Sequence, residues 1–334
     1  MKELVEERST LLKQDMSMTD SKPFVSIGMP VYNGEKYIRQ ALDSVLAQDY
    51  ERFELIISDN ASRDGTAEIC QEYVARDTRV RYSCNLTNVG AVDNFNRAFE
   101  LARGQYFAWL AHDDAWEPTF LTLCLCAFAR YPSAVLCFPR VQLIDANGQA
   151  LEIHDEELET IGLTTPSRLR LVLVRFTKCS PFYGLMRSSA LRRIRPHANT
   201  YGHDLVILAE LSVWGEFVQV PEVLFNYRVY RQKRAEDQWQ GLGPPGTYQR
   251  YHYTHLRLAW LVGRSMAGSK RPLPLKLRLM LETALVFNRR FGPQMRYDVW
   301  WVIKGRWPAL ARCMKRLSVY WNRICSLGRG AAPL

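Results

Sequence analysis

The chain has 334 residues, of which 47% are hydrophobic and 23% are charged, and its formal net charge is +10. This composition is typical of a globular protein with one large domain, or a domain plus an appendage, and it excludes an extended disordered chain. The longest apolar run, near residues 120–129, is about half the roughly 18 residues that a membrane-spanning helix needs, so no transmembrane helix is predicted. None of the eight cysteines stands in a CxxC pair, which favours reduced thiols over a zinc site.

Residues 1–23 are polar and lack the apolar core of a signal peptide, so we expect a loose tail there. Short apolar runs then alternate with amphipathic stretches as far as residue 145. This alternation predicts parallel βαβ units with helices on both faces of one sheet, a Rossmann-like architecture that binds ligands at the carboxyl ends of its strands. The predicted strands are residues 24–30, 53–59, 79–84 and 105–110, and the predicted helices lie near residues 36–48, 64–77, 90–102 and 117–130.

The pattern changes after residue 145. Asn147-Gly148 lies between two apolar runs and predicts a two-residue β-hairpin loop. Residues 146–231 mix a helical segment near 204–214 with short strand-like pieces at 182–186 and 217–220. We expect them to form a second half that closes over the sheet. The predicted organisation is a tail (1–23), a domain (24–231, with halves 24–145 and 146–231), a Gly- and Pro-rich loop (232–247) and a basic helical region (248–334).

The turns that follow the first two strands carry candidate ligand-binding residues. No GxGxxG or GKS/GKT phosphate loop occurs; instead, the first strand leads into an aromatic and amide-bearing turn between Pro30 and Glu35. Such a turn can stack on and hydrogen-bond a base or ribose, although a plain strand-to-helix turn explains it as well. The second strand ends at Asp59, for which a ligand role and a structural role both stay open, whereas Asp64 is expected to cap the following helix.

Two adjacent carboxylates, Asp113 and Asp114, follow the fourth strand. Like charges at this separation repel each other, so their clustering is favoured where a cation neutralises them. A divalent ion held by one or two carboxylates completes its coordination with phosphate oxygens, as a diphosphate leaving group requires. The alternative is that Asp114 and Glu117 only favour the first turn of the next helix.

These elements occur together with the segment NLTNVGAVDNFNRAFELARGQYFAWL, in an order and spacing that resemble the family-2-type glycosyltransferases with the GT-A fold. The resemblance extends over about residues 25–231. It implies an α/β GT-A fold with a mostly parallel central sheet. It also implies an inverting enzyme that moves a sugar from a nucleotide-diphosphate donor, commonly a UDP-sugar, to a saccharide or lipid-linked acceptor. The implied pathway is the assembly of bacterial cell-surface polysaccharide, lipopolysaccharide or glycoprotein.

On the donor side, the resemblance assigns roles to five positions. Pro30, Tyr32 and Glu35 would line the pocket for the base and ribose. Asp59 would face the base, and Asn88 would lie near the nucleotide or its sugar.

At the diphosphate, the resemblance implies that Asp113 contacts the ribose and that Asp114 holds a divalent metal, Mn²⁺ or Mg²⁺. Arg228 would meet the diphosphate, for which the paired N–H donors of a guanidinium are well suited. The chain departs from the family at two positions: His112 replaces a further carboxylate, and Tyr230 stands where relatives often have His.

For catalysis, the resemblance points to Asp204, because family members place an Asp at the start of the corresponding helix. Inverting transfer requires a base that takes the proton of the acceptor hydroxyl as its oxygen attacks the anomeric carbon. The alternative is that Asp204 is only the N-cap of that helix.

The last part of the chain is strongly basic. Residues 241–334 contain 17 Lys and Arg against only Glu282 and Asp298, a balance of +15 that leaves about −5 for the rest. Basic helices with aromatic faces bind anionic membrane surfaces, so residues 248–334 predict a cytoplasmic protein that docks on the inner face of the membrane. The alternative is that the aromatic side packs on the body and the basic side is simply solvated. No nucleic-acid partner is expected, because no nucleic-acid-reading motif accompanies the charge.

Three other functions stay open. A sugar nucleotidyltransferase can share this sheet, but the sequence contains no Gly- and Lys-rich triphosphate loop. A catalytically silent protein that binds nucleotide sugars is the second. A membrane-surface scaffold is the third, and it leaves the Asp113-Asp114 pair unexplained.

Overall fold

The protein is represented by a computed structural model that describes residues 25–177, 180–194, 202–230 and 254–306, with the side chains of residues 254 and 300–306 left out. The predicted tail (1–23) and loop (232–247) lie outside the described residues. The strands are β1 (Val25–Val31), β2 (Phe53–Asp59), β3 (Val80–Cys84), β4 (Tyr106–Trp109), β5 (Ala115–Trp116), β6 (Ala134–Ile144), β7 (Ala150–His154), β8 (Leu185–Arg187) and β9 (Glu216–Arg228).

The first half of the chain forms the parallel part of the sheet. β3, β2, β1 and β4 lie side by side in that order, and all three pairings are parallel. Every residue of β1 and β2 is buried, as expected for parallel strands covered on both faces. The helices of this half are α1 (Ile38–Leu46), α2 (Thr66–Arg76), α3 (Ala91–Glu100) and α4 (Phe120–Arg130). The strands and helices predicted for this half are confirmed, with the helices shorter by up to three residues at their ends.

The second half covers one face of the sheet with its helices at residues 165–175 and 203–214, and its strands also extend the sheet. β8 pairs antiparallel with both β4 and β6, and β9 pairs parallel with β6 over most of its length. The physical reason is that β4 presents an open edge, whose N–H and C=O groups need partners once they are buried. The predicted α/β fold with helices on both faces is confirmed, and its sheet becomes mixed beyond β4.

The hairpin between β6 and β7 is confirmed, but its loop has three residues (146–148) rather than two. The Asp145 N–H donates to the carbonyl of Gln149, and the Gly148 N–H donates to the carbonyl of Asp145. Gly148 has a φ of +82°, which lets a type I turn join the second strand through a left-handed residue.

Five helices follow: α5 (Thr165–Arg175), α6 (Ser188–Leu191), α7 (His203–Trp214), α8 (Thr254–Gly268) and α9 (Leu273–Arg306). α7 is buried from residue 204 to residue 213. α8 packs on α7, and α9 packs on α5 and α8. α9 is interrupted at Phe291, two residues before Pro293, because a proline ring clashes with the preceding helical turn.

The core consists of two clusters of buried apolar side chains. One contains side chains of α1, α2 and α4, and the other contains side chains of α5 and α7. Leu258, Val262, Leu279 and Phe287 of the C-terminal helices belong to the second cluster. The described part of the basic region therefore packs on the body through one side. Within the described residues, no helix combines the length and the apolar character that a membrane span requires.

Candidate active site

The turns after β1 and β2 are locked together by hydrogen bonds. The Asn33 N–H donates to Ser62 Oγ at 2.9 Å, and the Arg63 N–H donates back to Asn33 Oδ1 at 2.9 Å. Glu35, predicted for the donor pocket, accepts the Gly65 N–H at 2.7 Å. Glu35 thus holds the two turns in register at the carboxyl edge of the sheet.

Pro30 and Tyr32 lie on either side of the end of β1. Pro30 is buried in register with Ser58 of β2, so its ring belongs to the sheet. The Tyr32 ring is 41% exposed at the rim of the turn, and it can stack on a planar group that approaches from solvent.

Asp64 acts on the local backbone rather than on a ligand. Its carboxylate accepts the N–H of Thr66, the first residue of α2, and the N–H of Glu35 at 3.1 Å. Burial opposes ionisation of Asp64, but the hydrogen bond from the Thr66 hydroxyl, together with these two N–H groups, holds the pKa of Asp64 below its ordinary value. Asp64 therefore supports the start of α2, as the sequence predicts, although Gly65 is the N-cap residue.

Asp59 ends β2 and is buried. Its Oδ1 accepts the Ser62 N–H at 2.9 Å, and its Oδ2 accepts the Tyr82 hydroxyl at 2.6 Å. Burial and this hydrogen bond raise the pKa of the Tyr82 hydroxyl. A carboxylate offers about four acceptor positions, so Asp59 keeps the capacity to accept a further N–H.

An asparagine network, missed in the sequence, joins the ends of β2 and β3 to α3. The Asn60 amide donates to Asn88 Oδ1 at 2.9 Å, and the Asn85 amide donates to Asn60 Oδ1 and Asn94 Oδ1. Asn88 also accepts the Gly90 N–H at 2.8 Å. Asn88, predicted near the nucleotide, thus shapes the turn before α3. The only signal for the network was the recurrence of Asn between residues 85 and 96.

The turn that carries the two carboxylates packs against the first turn of the site. A Cβ on Gly34 would lie 2.7 Å from the His112 ring and 2.6 Å from the Val31 side chain, so only glycine fits there. His112, which stands where the family has a carboxylate, therefore fixes the position of the residues that follow it.

Asp114 is 2% exposed, and its two oxygens have different surroundings. Oδ1 accepts the backbone N–H of Arg228 at 2.7 Å, whereas Oδ2 is buried and has no hydrogen-bond partner among the described residues. Burial, reinforced by the charge of Asp113, raises the pKa of Asp114 well above its ordinary value, and the Arg228 N–H and guanidinium oppose this shift.

Asp113 is half-buried and accepts the Tyr230 hydroxyl at 2.7 Å. Burial and this hydrogen bond raise the pKa of Tyr230. Tyr230, which replaces the family's His, is therefore a neutral donor that fixes the Asp113 carboxylate.

Arg228 is buried beneath this turn. Its Nε donates to the Asp113 carbonyl (2.8 Å), one terminal nitrogen to the Asp145 carbonyl (2.8 Å) and the other to Gln40 Oε1 (2.7 Å). The guanidinium also lies over the Tyr37 ring, 4.4 Å from its centre. Each of its nitrogens thus contacts a protein acceptor, whereas the sequence predicted a contact with the diphosphate. Nothing in the sequence pattern singled out Tyr37 or Gln40.

The residues present fit a divalent cation that is only partly coordinated by protein. The buried Oδ2 of Asp114 accepts no hydrogen bond within the described residues and could serve as an oxygen ligand, and Asp113 is the next residue toward the N-terminus. In the described ranges, no three His, Cys, Asp or Glu side chains gather into a group that could hold a metal by itself. Mg²⁺ and similar ions commonly bind through one or two carboxylates, with water and substrate phosphates completing the shell.

Asp204 lies in the first turn of α7 and is buried. The helix begins at His203, and its N-cap is Gly202, with a φ of +73°. The N-cap role considered for Asp204 is therefore wrong. Its Oδ1 accepts the Leu205 N–H at 2.8 Å.

Stacked aromatic rings connect the start of α7 to the end of β4. The Trp109 ring stacks on Phe182 at 4.7 Å, and the His203 ring contacts Phe182 and Phe95 edge-on at 5.7 and 6.1 Å. Trp109 ends β4, four residues before Asp113. Asp204 and the carboxylate pair are therefore both positioned from the same end of β4. Sequence reasoning missed these contacts, which join residues far apart in the chain.

The model of the family described as "Glycosyl transferase family 2" matches residues 26–195, about half of the 334. TuaG of Bacillus subtilis (strain 168), which is named for teichuronic acid biosynthesis, is 37% identical over 142 residues, 42% of this chain and 56% of TuaG. An uncharacterized protein of Mycobacterium bovis is 32% identical over 205 residues, 59% of this chain and 56% of that protein. The chain thus spans little more than half the length of these relatives.

Two solved structures of TarS residues 1–349 from S. aureus share the fold. The first has a TM-score of 0.59 at 17% identity and covers 80% of this chain and 72% of that chain. The complex with UDP-GlcNAc has a TM-score of 0.61 at 15% identity and covers 84% and 81%. These similarities confirm the expected GT-A fold. From the family match and the fold together, the chain belongs to glycosyl transferase family 2.

Proposed function

We propose that the chain is a metal-dependent, inverting glycosyltransferase that uses a nucleoside-diphosphate sugar, most simply a UDP-sugar, to extend a cell-surface polysaccharide. The observation that carries the proposal is the buried, unpaired Oδ2 of Asp114 beside Asp113, at the end of the sheet where this fold binds ligands. The name of TuaG and the UDP and UDP-GlcNAc complexes of TarS support the pathway and the donor class.

The donor would bind across the locked turns. Tyr32 offers an exposed ring for the base, and Asp59 keeps acceptor capacity for a base N–H. Asn88 and Glu35 would act mainly by shaping these turns, because their side-chain oxygens accept backbone N–H groups. Arg228 would likewise shape the turn that carries Asp113 and Asp114, by donating to its backbone. Its positive charge would also stabilise an anionic ligand bound at this turn.

Asp114, with Asp113 beside it, would hold Mn²⁺ or Mg²⁺. A bound divalent ion supplies charge neutralisation for the diphosphate as it leaves. Asp204 would take the proton from the acceptor hydroxyl while that oxygen attacks the anomeric carbon from the face opposite the diphosphate. The contacts of the His203 ring with Phe95 and Phe182, which stack or pack on Trp109 at the end of β4, support this assignment.

The test is calorimetric titration of UDP, GDP and dTDP into the full chain, first with Mn²⁺ and then with chelator. We expect one nucleotide to bind only with the metal, and we expect Asp114→Asn to lose this metal-dependent binding. Asp155→Asn is a matched control, because Asp155 is a hydrogen-bonded carboxylate on the segment after β7. Failure of all three nucleotides to bind would refute the donor assignment.

The proposed base is tested separately through slow release of the nucleoside diphosphate from its sugar, with water as the acceptor. Asp204→Asn should keep nucleotide affinity and lose this release. Undiminished release in the Asp204→Asn variant would refute its role as the base. A wild-type chain that binds a nucleotide sugar without releasing the diphosphate would favour the catalytically silent binding protein.

A further inference from the structure

The outer side of α9 carries a continuous apolar stripe. Its members are between 39% and 66% exposed: Leu273, Leu277, Met280, Leu281 and Leu285. Spacings of three and four residues place them on one face of the helix. The opposite face carries Leu279 and Val286 and is buried against the body. Five large apolar side chains in one exposed row are more than the isolated surface leucines that a soluble protein tolerates.

The acidic residues of α8 and α9 are both used inside the fold. Glu282 is buried and forms a two-pronged ion pair with Arg170 of α5, at 2.7 and 2.8 Å. Asp298 is buried and accepts the N–H groups of His255 and Leu256 at 3.0 Å, which caps α8. The exposed charged side chains of these two helices and of the turn between them, over residues 255–299, are therefore cations: Arg257, Arg264, Lys270, Arg278, Arg289 and Arg296.

Two of these cations border the apolar stripe. Arg278 precedes Leu281 by three residues, and Arg289 follows Leu285 by four, so both lie along the same side of the helix. On the neighbouring helix, the half-exposed Trp260 ring stacks under the Arg264 guanidinium at 5.0 Å. Exposed leucines flanked by arginines on α9, and an exposed tryptophan under an arginine on α8, are the residue types found where a protein meets a membrane interface.

We propose that this face of α8 and α9 docks on the surface of an anionic lipid bilayer, with the leucine stripe among the acyl chains and the arginines at the headgroup phosphates. The stripe lies along the outer side of a helix that is buried on its other side, which suits a flat lipid surface. The exposed charges are all positive, so this face attracts anionic headgroups. A helix of this kind lies in the interface and does not cross the bilayer.

The helix α8 contacts the start of α7, where the proposed catalytic carboxylate of Asp204 lies. A Cβ on Gly202, the N-cap of α7, would lie 3.2 Å from the Leu258 side chain of α8. Docking through α8 and α9 would therefore hold the start of α7, with Asp204, near the lipid surface. If the proposed function holds, on which this step rests, the acceptor class is a saccharide carried on a membrane lipid.

The experiment measures co-sedimentation of the full chain with phosphatidylcholine vesicles and with vesicles that also contain phosphatidylglycerol. We expect binding to the anionic vesicles only. Leu277→Gln/Leu281→Gln should weaken it at least about tenfold, since each leucine loses most of its apolar transfer free energy. Leu151→Gln/Ile153→Gln is the matched control, because these side chains are 56% and 52% exposed on β7, which pairs with β6.

Charge is tested with Arg278→Gln/Arg289→Gln, which should weaken binding roughly 25-fold, at about fivefold for each cation near an anionic surface. Arg76→Gln/Arg130→Gln removes two exposed arginines from the other side of the sheet and should leave binding unchanged. Nucleotide titration of each variant confirms that the body is folded and separates failure of docking from failure of the proposed enzyme.

Three outcomes would overturn the proposal. The first is unchanged vesicle binding by the leucine variant, and the second is equal binding of the wild-type chain to neutral and anionic vesicles. The third is a wild-type dimer in analytical ultracentrifugation that the leucine variant converts to monomer, without vesicle binding, which would assign the stripe to a second copy of the chain.

Discussion

Replacement of Arg228 by lysine distinguishes a structural role from a ligand-binding role for this residue. The guanidinium donates three hydrogen bonds of 2.7–2.8 Å, to the Asp113 carbonyl, the Asp145 carbonyl and Gln40. A lysine ammonium reaches one of these acceptors, so two hydrogen bonds are lost, at about 1–1.5 kcal/mol each. Loss of the stacking on Tyr37 adds about 0.5–1 kcal/mol. The expected decrease in the free energy of unfolding is therefore about 3 kcal/mol.

The assay is urea denaturation of both proteins, with nucleotide titration on the same samples. We expect the Arg228→Lys midpoint to fall together with donor affinity, because the carboxylate turn loses its support. Arg39→Lys is the control: it breaks a two-pronged pair with Glu72 that is solvated on both sides, so its midpoint should stay close to that of the wild-type chain.

The reasoning is refuted if Arg228→Lys unfolds at the wild-type midpoint while nucleotide affinity falls. That result would mean that the guanidinium is not held by the body and contacts the diphosphate itself, as the family resemblance implies.

The remaining predictions concern the supports of the site, and urea denaturation checks all of them. Gly34→Ala should destabilise the fold by about 1–3 kcal/mol, because its Cβ would overlap the His112 ring, and His112→Ala in the same chain should restore part of the loss. Asn94→Leu should lower the free energy of unfolding by about 2–4 kcal/mol, since the buried Ser58 hydroxyl loses its acceptor and the Asn85 amide loses one of its two. Gln71→Leu on the exposed side of α2 should change it by less than about 0.5 kcal/mol. Gly148→Ala should lower it by about 1 kcal/mol, because an alanine is strained at a φ of +82°, and Gly148→Asn should lower it less.

The first half of the fold could be predicted from local sequence because its strands are buried on both faces. β1 and β2 are apolar along most of their length, and the helices between them have regular amphipathic spacing. Apolar strands separated by amphipathic helices are typical of a parallel sheet that is covered by helices on both faces.

The second half could not be predicted because its strands are defined by their partners. β8 has only three residues, so the strand-like piece at 182–186 indicated its presence but placed it too early in the chain. β9 runs for 13 residues and interrupts its apolar positions at Pro221 and Glu222, so only its first part was recognised. Whether such strands cover a sheet or extend its edge depends on the open edge of β4, which local sequence does not encode.

At the site, adjacent residues were predictable and distant contacts were not. Asp113 and Asp114 stood out because two neighbouring carboxylates at a strand end need an explanation. The acceptors of Arg228 come from three separate segments, including Gln40 in α1, so its hydrogen bonds could be found only in the fold.

The separate supports converge on the carboxylate pair. His112 packs it against the first turn, Tyr230 fixes Asp113, and Arg228 holds its backbone from below. Because these supports come from the turn after β1, from the carboxylate turn itself and from the end of β9, a shift in any one of them reaches Asp114. A buried carboxylate oxygen without a partner is unfavourable, and only a stiff surrounding structure keeps it from collapsing onto a neighbouring donor. The rigidity of the turns is therefore what keeps this oxygen available, so a variant that lowers donor affinity must be compared with its own stability before any contact with the donor is assigned.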